Sequence, residues 1–396
     1  MKLRNFGKLG IQGSAFGLGC MRFPMKEVDG KKVVDEENAI NIIRTAIDGG
    51  VTYLDTAYVY LGQQSEVVVG KALQDGYRDK CTIATKLPIW LVEKPEDMQR
   101  MFDEELERLQ TDHIDFYLVH ALGRERWDKA KALGVREFLT RLKAEGKIRF
   151  ACFSFHDDYD AFEYILNDYD WDMCQLQFNY MDVNNQAGLR GVRLAGSKGI
   201  PVVVMEGLLG GRLANAPDNV QALYDAFPTK RSPVEWAFRW LCNQPEVATV
   251  LSGVTTVEQT KDNLRIFDTV EPGCMDADEL ALIDRVRDAY NSRIKVGCTG
   301  CAYCMPCPQG VDIPGSFRCL NEIAIDGRSK ATKEYWQVTA VRKVPGSASR
   351  CIGCGKCERH CPQQIPIREM LKVAAKELET PFYRIGRWVM QVWKPW

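Results

Sequence analysis

From about residue 14 to residue 270 the chain alternates two hydrophobic rhythms. Short runs rich in β-branched and aromatic residues read as strands: SAFGLG (14–19), TYLDTA (52–57), CTIATKL (81–87), IDFYLVH (114–120), RFACFSF (149–155), MCQLQFN (173–179), PVVVMEG (201–207) and VATVLSG (247–253). Between them, stretches such as EENAINIIRTAIDGG, SEVVVGKALQ, PEDMQRMFDEELERLQ and REFLTRLKAEGK place apolar residues three and four positions apart. Several end in glycine, the mark of amphipathic helices that stop there. Strands alternating with helices imply right-handed βαβ units and a parallel sheet. Eight such units in roughly 250 residues predict an α/β fold, a closed (β/α)8 TIM barrel. An open doubly wound sheet is the alternative, but no G-x-G-x-x-G leads from the first strand into a helix.

The rhythm changes near residue 290. DADELALIDRVRDAY (276–290) predicts one more helix outside the barrel, so a barrel domain of residues 1–290 is followed by a smaller one of 291–396. In that second part PGSFRCLNEIAI and KEYWQVTAVRK read as short helices, which makes it a small, mostly helical domain. The final stretch YRIGRWVMQVWKPW mixes three Trp with Lys and Arg. It is expected to dock on the barrel or on a neighbouring subunit, with a membrane interface as the alternative.

Composition narrows the class. Apolar residues make up 45% and charged residues 27% of the 396, an ordinary soluble profile. The net charge of −1 gives no electrostatic case for nucleic acid or an anionic membrane. No apolar leader opens the chain, and no run of about 18 apolar residues could span a bilayer. The 15 cysteines are therefore read as metal-binding or catalytic before disulfide-bonded, and the expected compartment is the cytoplasm.

Eight of those cysteines fall in two runs, CTGCAYCMPCP (298–308) and CIGCGKCERHCP (351–362). Cys351, Cys354, Cys357 and Cys361, followed by Pro362, have the C-x2-C-x2-C-x3-C-P spacing of bacterial ferredoxins, in which the fourth cysteine serves the other of two clusters. Cys298, Cys301, Cys304 and Cys307, followed by Pro308, are one residue tighter at the last gap. Zinc also takes paired cysteines, but two complete runs, each closed by proline, point to two [4Fe–4S] clusters. With exchanged ligands, Cys307 would serve the second cluster and Cys361 the first. Of the remaining cysteines, Cys81, Cys152 and Cys174 read as core residues, and Cys20 as a candidate for contact at the barrel mouth.

Barrel enzymes work at the carboxyl ends of their strands. There the sequence sets Asp55 at the end of the second strand, Tyr60 in the loop after it, Lys86 at the end of the third and His120 at the end of the fourth. Each alone has an ordinary structural reading, but together they converge on one mouth. A carbonyl that accepts hydride develops negative charge on oxygen and needs a proton donor. Tyrosine, with an ordinary pKa of about 10, would be tuned downward by a nearby Lys86 ammonium, itself held by Asp55. Tyr60 is then the general acid, Lys86 and Asp55 its tuning pair, and His120 the group that orients or polarises the carbonyl.

In GVTYLDTAYVYLGQQSEVVVGKAL, TIATKL and DFYLVHAL the chain resembles the aldo-keto reductase family, over roughly residues 1 to 290. With the cysteine runs it is similar to that family's iron–sulfur branch. The resemblance implies the Asp–Tyr–Lys–His tetrad on the four residues just named. It also implies NADPH lying extended across the mouth, held at Ser154, Gln177, Leu208, Gly210, Arg212, Gly253, Gln259 and Asn263. Two departures stand out: Ser154-Phe155-His156 where the family often has Ser-Asn, and Met205-Glu206-Gly207 where many members stack an aromatic ring on the nicotinamide.

A nicotinamide moves two electrons and a [4Fe–4S] cluster one, so communication between them needs a bridge, and a flavin is the usual one. Three readings follow. The first is an NADPH-dependent carbonyl reductase with structural or regulatory clusters. In the second, a ferredoxin-like partner feeds electrons through the clusters to a barrel-bound cofactor, flavin among the candidates. The third is a redox-sensing or electron-transfer subunit of little turnover. The intact tetrad favours a reductase acting on a small-molecule carbonyl.

Overall fold

All eight strands expected from the β-branched runs form, and they close on themselves in chain order. The computed structural model describes residues 1–292, 294–325, 327–341 and 345–393. The barrel strands are β1 (Phe16–Gly19), β2 (Tyr53–Asp55), β3 (Thr82–Leu87), β4 (Ile114–Leu122), β5 (Ile148–Phe155), β6 (Met173–Gln177), β7 (Val202–Met205) and β8 (Val247–Gly253). Each runs parallel to its neighbour, and β8 pairs with β1 to complete the ring.

Successive residues of a strand face opposite sides, so one face of each strand fills the barrel. At the amino ends of the strands that filling is apolar and aromatic. Tyr53, Phe116 and Phe150 pack with Phe6, ring centres 4.9 to 6.1 Å apart. The same inward alternation continues up the strands to Asp55, Lys86, His120, Ser154 and Gln177, where it turns polar. On the outside, the helix Glu36–Asp48 buries Ala39, Ile42, Ile43, Ala46 and Ile47, the stripe its periodicity predicts.

Two strand pairs escape the sequence reading. Leu3–Asn5 pairs antiparallel with Gln12–Ser14, and the connecting turn delivers Phe6. Met25–Val28 pairs with Lys31–Val34 across Asp29-Gly30, both with positive φ. Three or four residues are too few for alternation to register, although Asp-Gly is itself a hairpin signal.

The chain divides into two compact units: residues 1–208 with 234–280, and residues 209–233 with 281–396. The second therefore takes in the segment after β7 as well as the region from 291 onward. It is helical, with Ile313–Ile325, Arg328–Thr339, Ile367–Leu378 and Pro381–Trp393 as its longer elements. Positions 342 and 343 of the expected second helix lie outside the described residues, as do 394–396 of the Trp-rich end. Phe317, Leu320, Tyr335, Leu371, Leu378 and Tyr383 form its core. Among the described residues no helix is long and apolar enough to cross a membrane.

Candidate active site

The last inward-facing positions of β2, β3 and β4 bring three of the four tetrad side chains into contact range. Lys86 Nζ lies 2.6 Å from Asp55 Oδ1 and also donates to the Thr56 carbonyl at 2.6 Å. Both side chains are almost fully buried. The second carboxylate oxygen, Asp55 Oδ2, accepts from Gln175 Nε2 at 3.2 Å. Burial pushes the Asp55 carboxyl up, and Lys86 and Gln175 oppose that push. Gln175 sits one inward position before Gln177 on β6; strict alternation along MCQLQ would have found it.

Tyr60 arrives from the turn Tyr60–Gln63, in which Leu61, Gly62 and Gln63 all adopt positive φ. Lys86 Nζ stands 4.8 Å from the centre of its ring, and the His120 ring meets it edge-on at 5.9 Å. The expected downward tuning of Tyr60 is not what this geometry produces. Burial pushes the phenol well above its ordinary pKa, and the charges of Asp55, Cys20 and Glu206 add to the rise. The physical reason is that burial, which disfavours the charged phenolate, outweighs the attraction of the nearby Lys86 ammonium. A phenol held in its protonated form remains a competent proton donor.

His120 is buried, and its pKa falls well below the usual histidine value because burial disfavours the cation; Lys86, His156 and Arg126 push the same way. A neutral imidazole results. Its Nδ1 has no hydrogen-bond partner among the described residues. Trp90, from the turn after β3, packs on His120 at 5.0 Å, and the Arg126 guanidinium lies 5.1 Å above Trp90. Cys20 is fully buried, and burial raises its thiol pKa well above normal.

The residues that the resemblance assigns to nucleotide are placed less uniformly. Ser154 Oγ accepts the Ala121 N–H at 2.7 Å, which leaves its own proton to give. Gln177 Nε2 donates to Asp182 at 2.9 Å while its Oε1 accepts from Gln186 at 3.0 Å; Gln186 in turn lies 3.2 Å from His156 Nδ1. Burial lowers His156 to about 4. Glu206 follows β7 in the left-handed region, φ 58°, and its carbonyl accepts from Asn179. Around β8, Gln259 Oε1 caps the Thr255 N–H at 2.8 Å and Asn263 Nδ2 holds Ser252 at 3.0 Å, just before Gly253.

Leu208 ends the first unit's strand-seven segment, and the chain then passes through three left-handed residues, Leu209, Gly210 and Gly211. From here the segment belongs with the cysteine-bearing unit. Arg212 donates to the carbonyl of Cys298 at 3.1 Å, and a Cβ on Gly210 would stand 2.3 Å from the Thr299 carbonyl oxygen. Glycine is needed at 210 both for its φ of 67° and for that approach. The sequence alone assigned both residues to nucleotide; their partner in this unit is the first cysteine run.

The eight cysteines of the two runs distribute over two hollows. Cys298, Cys301, Cys304 and Cys361 line one. Cys307, Cys351, Cys354 and Cys357 line the other, of about 430 Å³, which Cys304 lines as well. Cys298 and Cys304 are close enough to Cys301 and Cys361 to feel their charge. The fourth cysteine of each run thus stands at the other run's hollow. Among the described residues no group of three or more His, Cys, Asp or Glu converges as ligands of a single metal ion. None of the 15 cysteines is in a disulfide.

Comparison with known proteins places this geometry. Residues 15–288 match the model of the aldo/keto reductase family, and residues 297–365 that of a 4Fe-4S dicluster domain. L-galactose dehydrogenase of Arabidopsis thaliana is 26% identical over 306 residues, 72% of this chain and 94% of that protein. Aldo-keto reductase YhdN of Bacillus subtilis is 34% identical over 160 residues, 35% of this chain and 47% of that one. Among solved structures, the holo form of aldo-keto reductase AKR11C1 from Bacillus halodurans aligns with a TM-score of 0.61 at 27% identity, covering 72% of this chain and 96% of that one. The aldo/keto reductase from Klebsiella pneumoniae in complex with NADP and acetate gives 0.57 at 25% identity, over 72% and 95%.

Proposed function

We propose a function for a chain that belongs to the aldo/keto reductase family and carries a 4Fe-4S domain at its C-terminal end. It is an NAD(P)H-dependent oxidoreductase, and its reaction is the reduction of a small-molecule carbonyl, or the reverse. One observation carries this reading: Tyr60 and His120 flank a buried Lys86–Asp55 pair at the barrel's catalytic end. When bound, NADPH supplies hydride from its nicotinamide; Ser154, Gln177 and Gly253 are residues we assign to holding the dinucleotide, with Gln259 and Asn263 at its adenosine end. Tyr60 keeps its proton at Oη until oxyanion charge develops beside it, then gives it up. Lys86, kept charged and in place by Asp55, steadies the phenolate left behind. His120, its pKa lowered by burial, orients the carbonyl by donating a neutral imidazole N–H to its oxygen.

Tyr60→Phe keeps the ring and removes only the proton. Carbonyl reduction with NADPH should fall by about 10²–10⁴-fold, while NADPH affinity by fluorescence titration stays within experimental error. Undiminished turnover would remove Tyr60 from the role of acid.

For the C-terminal part we assign two [4Fe–4S] clusters, the first on Cys298, Cys301, Cys304 and Cys361, the second on Cys307, Cys351, Cys354 and Cys357. The arrangement around two hollows with exchanged fourth cysteines supports this. Such clusters supply single electrons, which suits relay better than the mere fastening of a tail. A reducing, cytoplasmic setting is in keeping with free thiols throughout.

A second reading draws support from Gln177, whose amide is already bound to Asp182 and Gln186, and from Glu206 in the place of a stacking aromatic. Here a ferredoxin-like partner passes electrons through the clusters to a barrel-bound cofactor such as flavin. Adding NADPH anaerobically to iron-replete protein separates the two. Bleaching of the cluster absorbance, with flavin released on denaturation, favours the coupled enzyme. Unbleached clusters with NADPH consumed once a carbonyl is supplied favour the self-sufficient reductase.

A further inference from the structure

Lys86 is held by two acceptors, Asp55 Oδ1 and the Thr56 carbonyl, and both belong to the end of β2. Where its ammonium stands beside Tyr60 therefore depends on how the ends of β2 and β3 are set against each other. The ladder between these strands has Asp55 and Ala84 as its last pair, so Thr56 and Lys86 lie just beyond it.

The helix Gln64–Ala72 takes over from there. Its first turn buries two polar side chains completely, Ser65 and Glu66. Ser65 Oγ donates to the Cys20 carbonyl at 2.8 Å and lies 2.8 Å from Thr56 Oγ1. A hydroxyl has one proton, so in the second bond it is Thr56 that donates. Glu66 Oε1 accepts from Thr85 Oγ1 at 2.5 Å. Thr85 immediately precedes Lys86 and points to the opposite face of β3. Two successive residues of one helix thus grip the chain at the ends of β1 and β2 and on β3.

Glu66 is itself clamped. Arg108, from the helix Pro95–Leu109, reaches its Oε2 at 3.2 Å and bonds Glu104 at 3.2 Å, with its guanidinium 4.3 Å from the centre of the Tyr58 ring. The two helices approach so closely that a Cβ on Gly70 would stand 2.4 Å from the Arg108 carbonyl oxygen. A carboxyl taken wholly out of water is costly to keep, and an apolar residue would serve packing here. What the carboxyl adds is direction, with one oxygen for the strand and the other for the neighbouring helix.

We propose that Glu66 is a positioning residue of the barrel's reaction: through Thr85, and together with Ser65 on Thr56, it sets the Lys86 ammonium in its place beside Tyr60. The inference rests on the roles proposed for Tyr60 and Lys86.

Thr85→Val removes the hydroxyl and keeps the shape of the side chain, whereas Thr85→Ser keeps the hydroxyl. Both are made in full-length, cluster-loaded protein and assayed with NADPH and 4-nitrobenzaldehyde. In Thr85→Val kcat should fall about 10–10²-fold, the scale of a group displaced by about 1 Å, while NADPH affinity by fluorescence titration stays within about twofold. Thr85→Ser should recover most of the turnover. Crystal structures give a readout free of turnover: Lys86 Nζ should leave the Thr56 carbonyl in Thr85→Val and stay there in Thr85→Ser. An unmoved Lys86 or an unchanged kcat in Thr85→Val overturns the proposal even where the thermal midpoint drops, since the bond would then only stabilise the fold. Loss of NADPH affinity in step with kcat overturns it too. If Thr85→Val does not fold, Ser65→Ala, which cuts the link to Thr56, must show the same split of kcat from NADPH affinity. Tyr60→Phe, assayed alongside, separates the two claims. Turnover lost there and kept in Thr85→Val removes the positioning role alone; turnover kept in Tyr60→Phe removes the acid itself.

Discussion

His120 and His156 stand a strand apart, and burial holds both below the ordinary histidine pKa. A group whose pKa is depressed on folding contributes stability that is present above its unfolded pKa, about 6.5 for histidine, and lost as pH falls toward its folded value. The window for His156 therefore runs from about 6.5 down to about 4. Glu66 acts in the opposite sense, since burial raises it to about 7 and its contribution is lost as pH rises. The clean observable is thus a difference. His156→Gln should gain on the wild type in urea unfolding as pH is lowered from 7 to 5, and a constant difference would show that His156 is not a buried neutral base. The same burial keeps Tyr60 protonated, so the acid and the polariser are poised by desolvation more than by the lysine.

The helix Pro95–Leu109 shows what its apolar stripe tolerates. Met98, Met101, Phe102 and Leu109 bury where periodicity places them, and Glu105 buries among them. Burial, followed by the neighbouring Glu66, pushes its pKa well up, with the Tyr117 hydroxyl opposing. A raised carboxyl costs stability above its unfolded pKa and nothing below it. Glu105→Met should therefore raise the thermal midpoint at pH 8 and change it little near pH 4, because a buried carboxyl is replaced by an apolar side chain of similar volume. Elements of this length were legible in the sequence, as were all eight strands and the tetrad at their ends, since repeated βα units impose a period that many residues report. The hairpins at Leu3–Ser14 and Met25–Val34 were not, because strands of three or four residues carry no period. Gln186 could not be anticipated either, since its bond to Gln177 depends on how a loop folds back. Arg212 and Gly210 were read as nucleotide residues because they follow β7; only three-dimensional placement sets them against Cys298 and Thr299.

For the molecule as a whole, the exchange of fourth cysteines makes a specific claim about which thiols act together. Cys361→Ser and Cys298→Ser should remove the same cluster signal in electron paramagnetic resonance, although the two residues belong to different runs. Cys354→Ser should remove the other. If Cys361→Ser instead matched Cys354→Ser, each run would be a self-contained site and the exchanged assignment would fail. The spacing of the second run pointed to exchange and the tighter last gap of the first run left it open; the placing of Cys361 with the first run and Cys307 with the second supports exchange.

Exchange has a further meaning for the chain as a polymer. A cluster spanning Cys307 and Cys351 closes a loop of roughly 45 residues, and one spanning Cys304 and Cys361 closes a loop enclosing it. Fixing the ends of a loop that size removes about 4 kcal/mol worth of unfolded-chain entropy on a cross-link model. The second closure adds far less, because the first has already brought its ends together. On the proposed assignment the two clusters would therefore be redundant as clasps. Loss of either should leave the tail folded, and only loss of both should let it unravel.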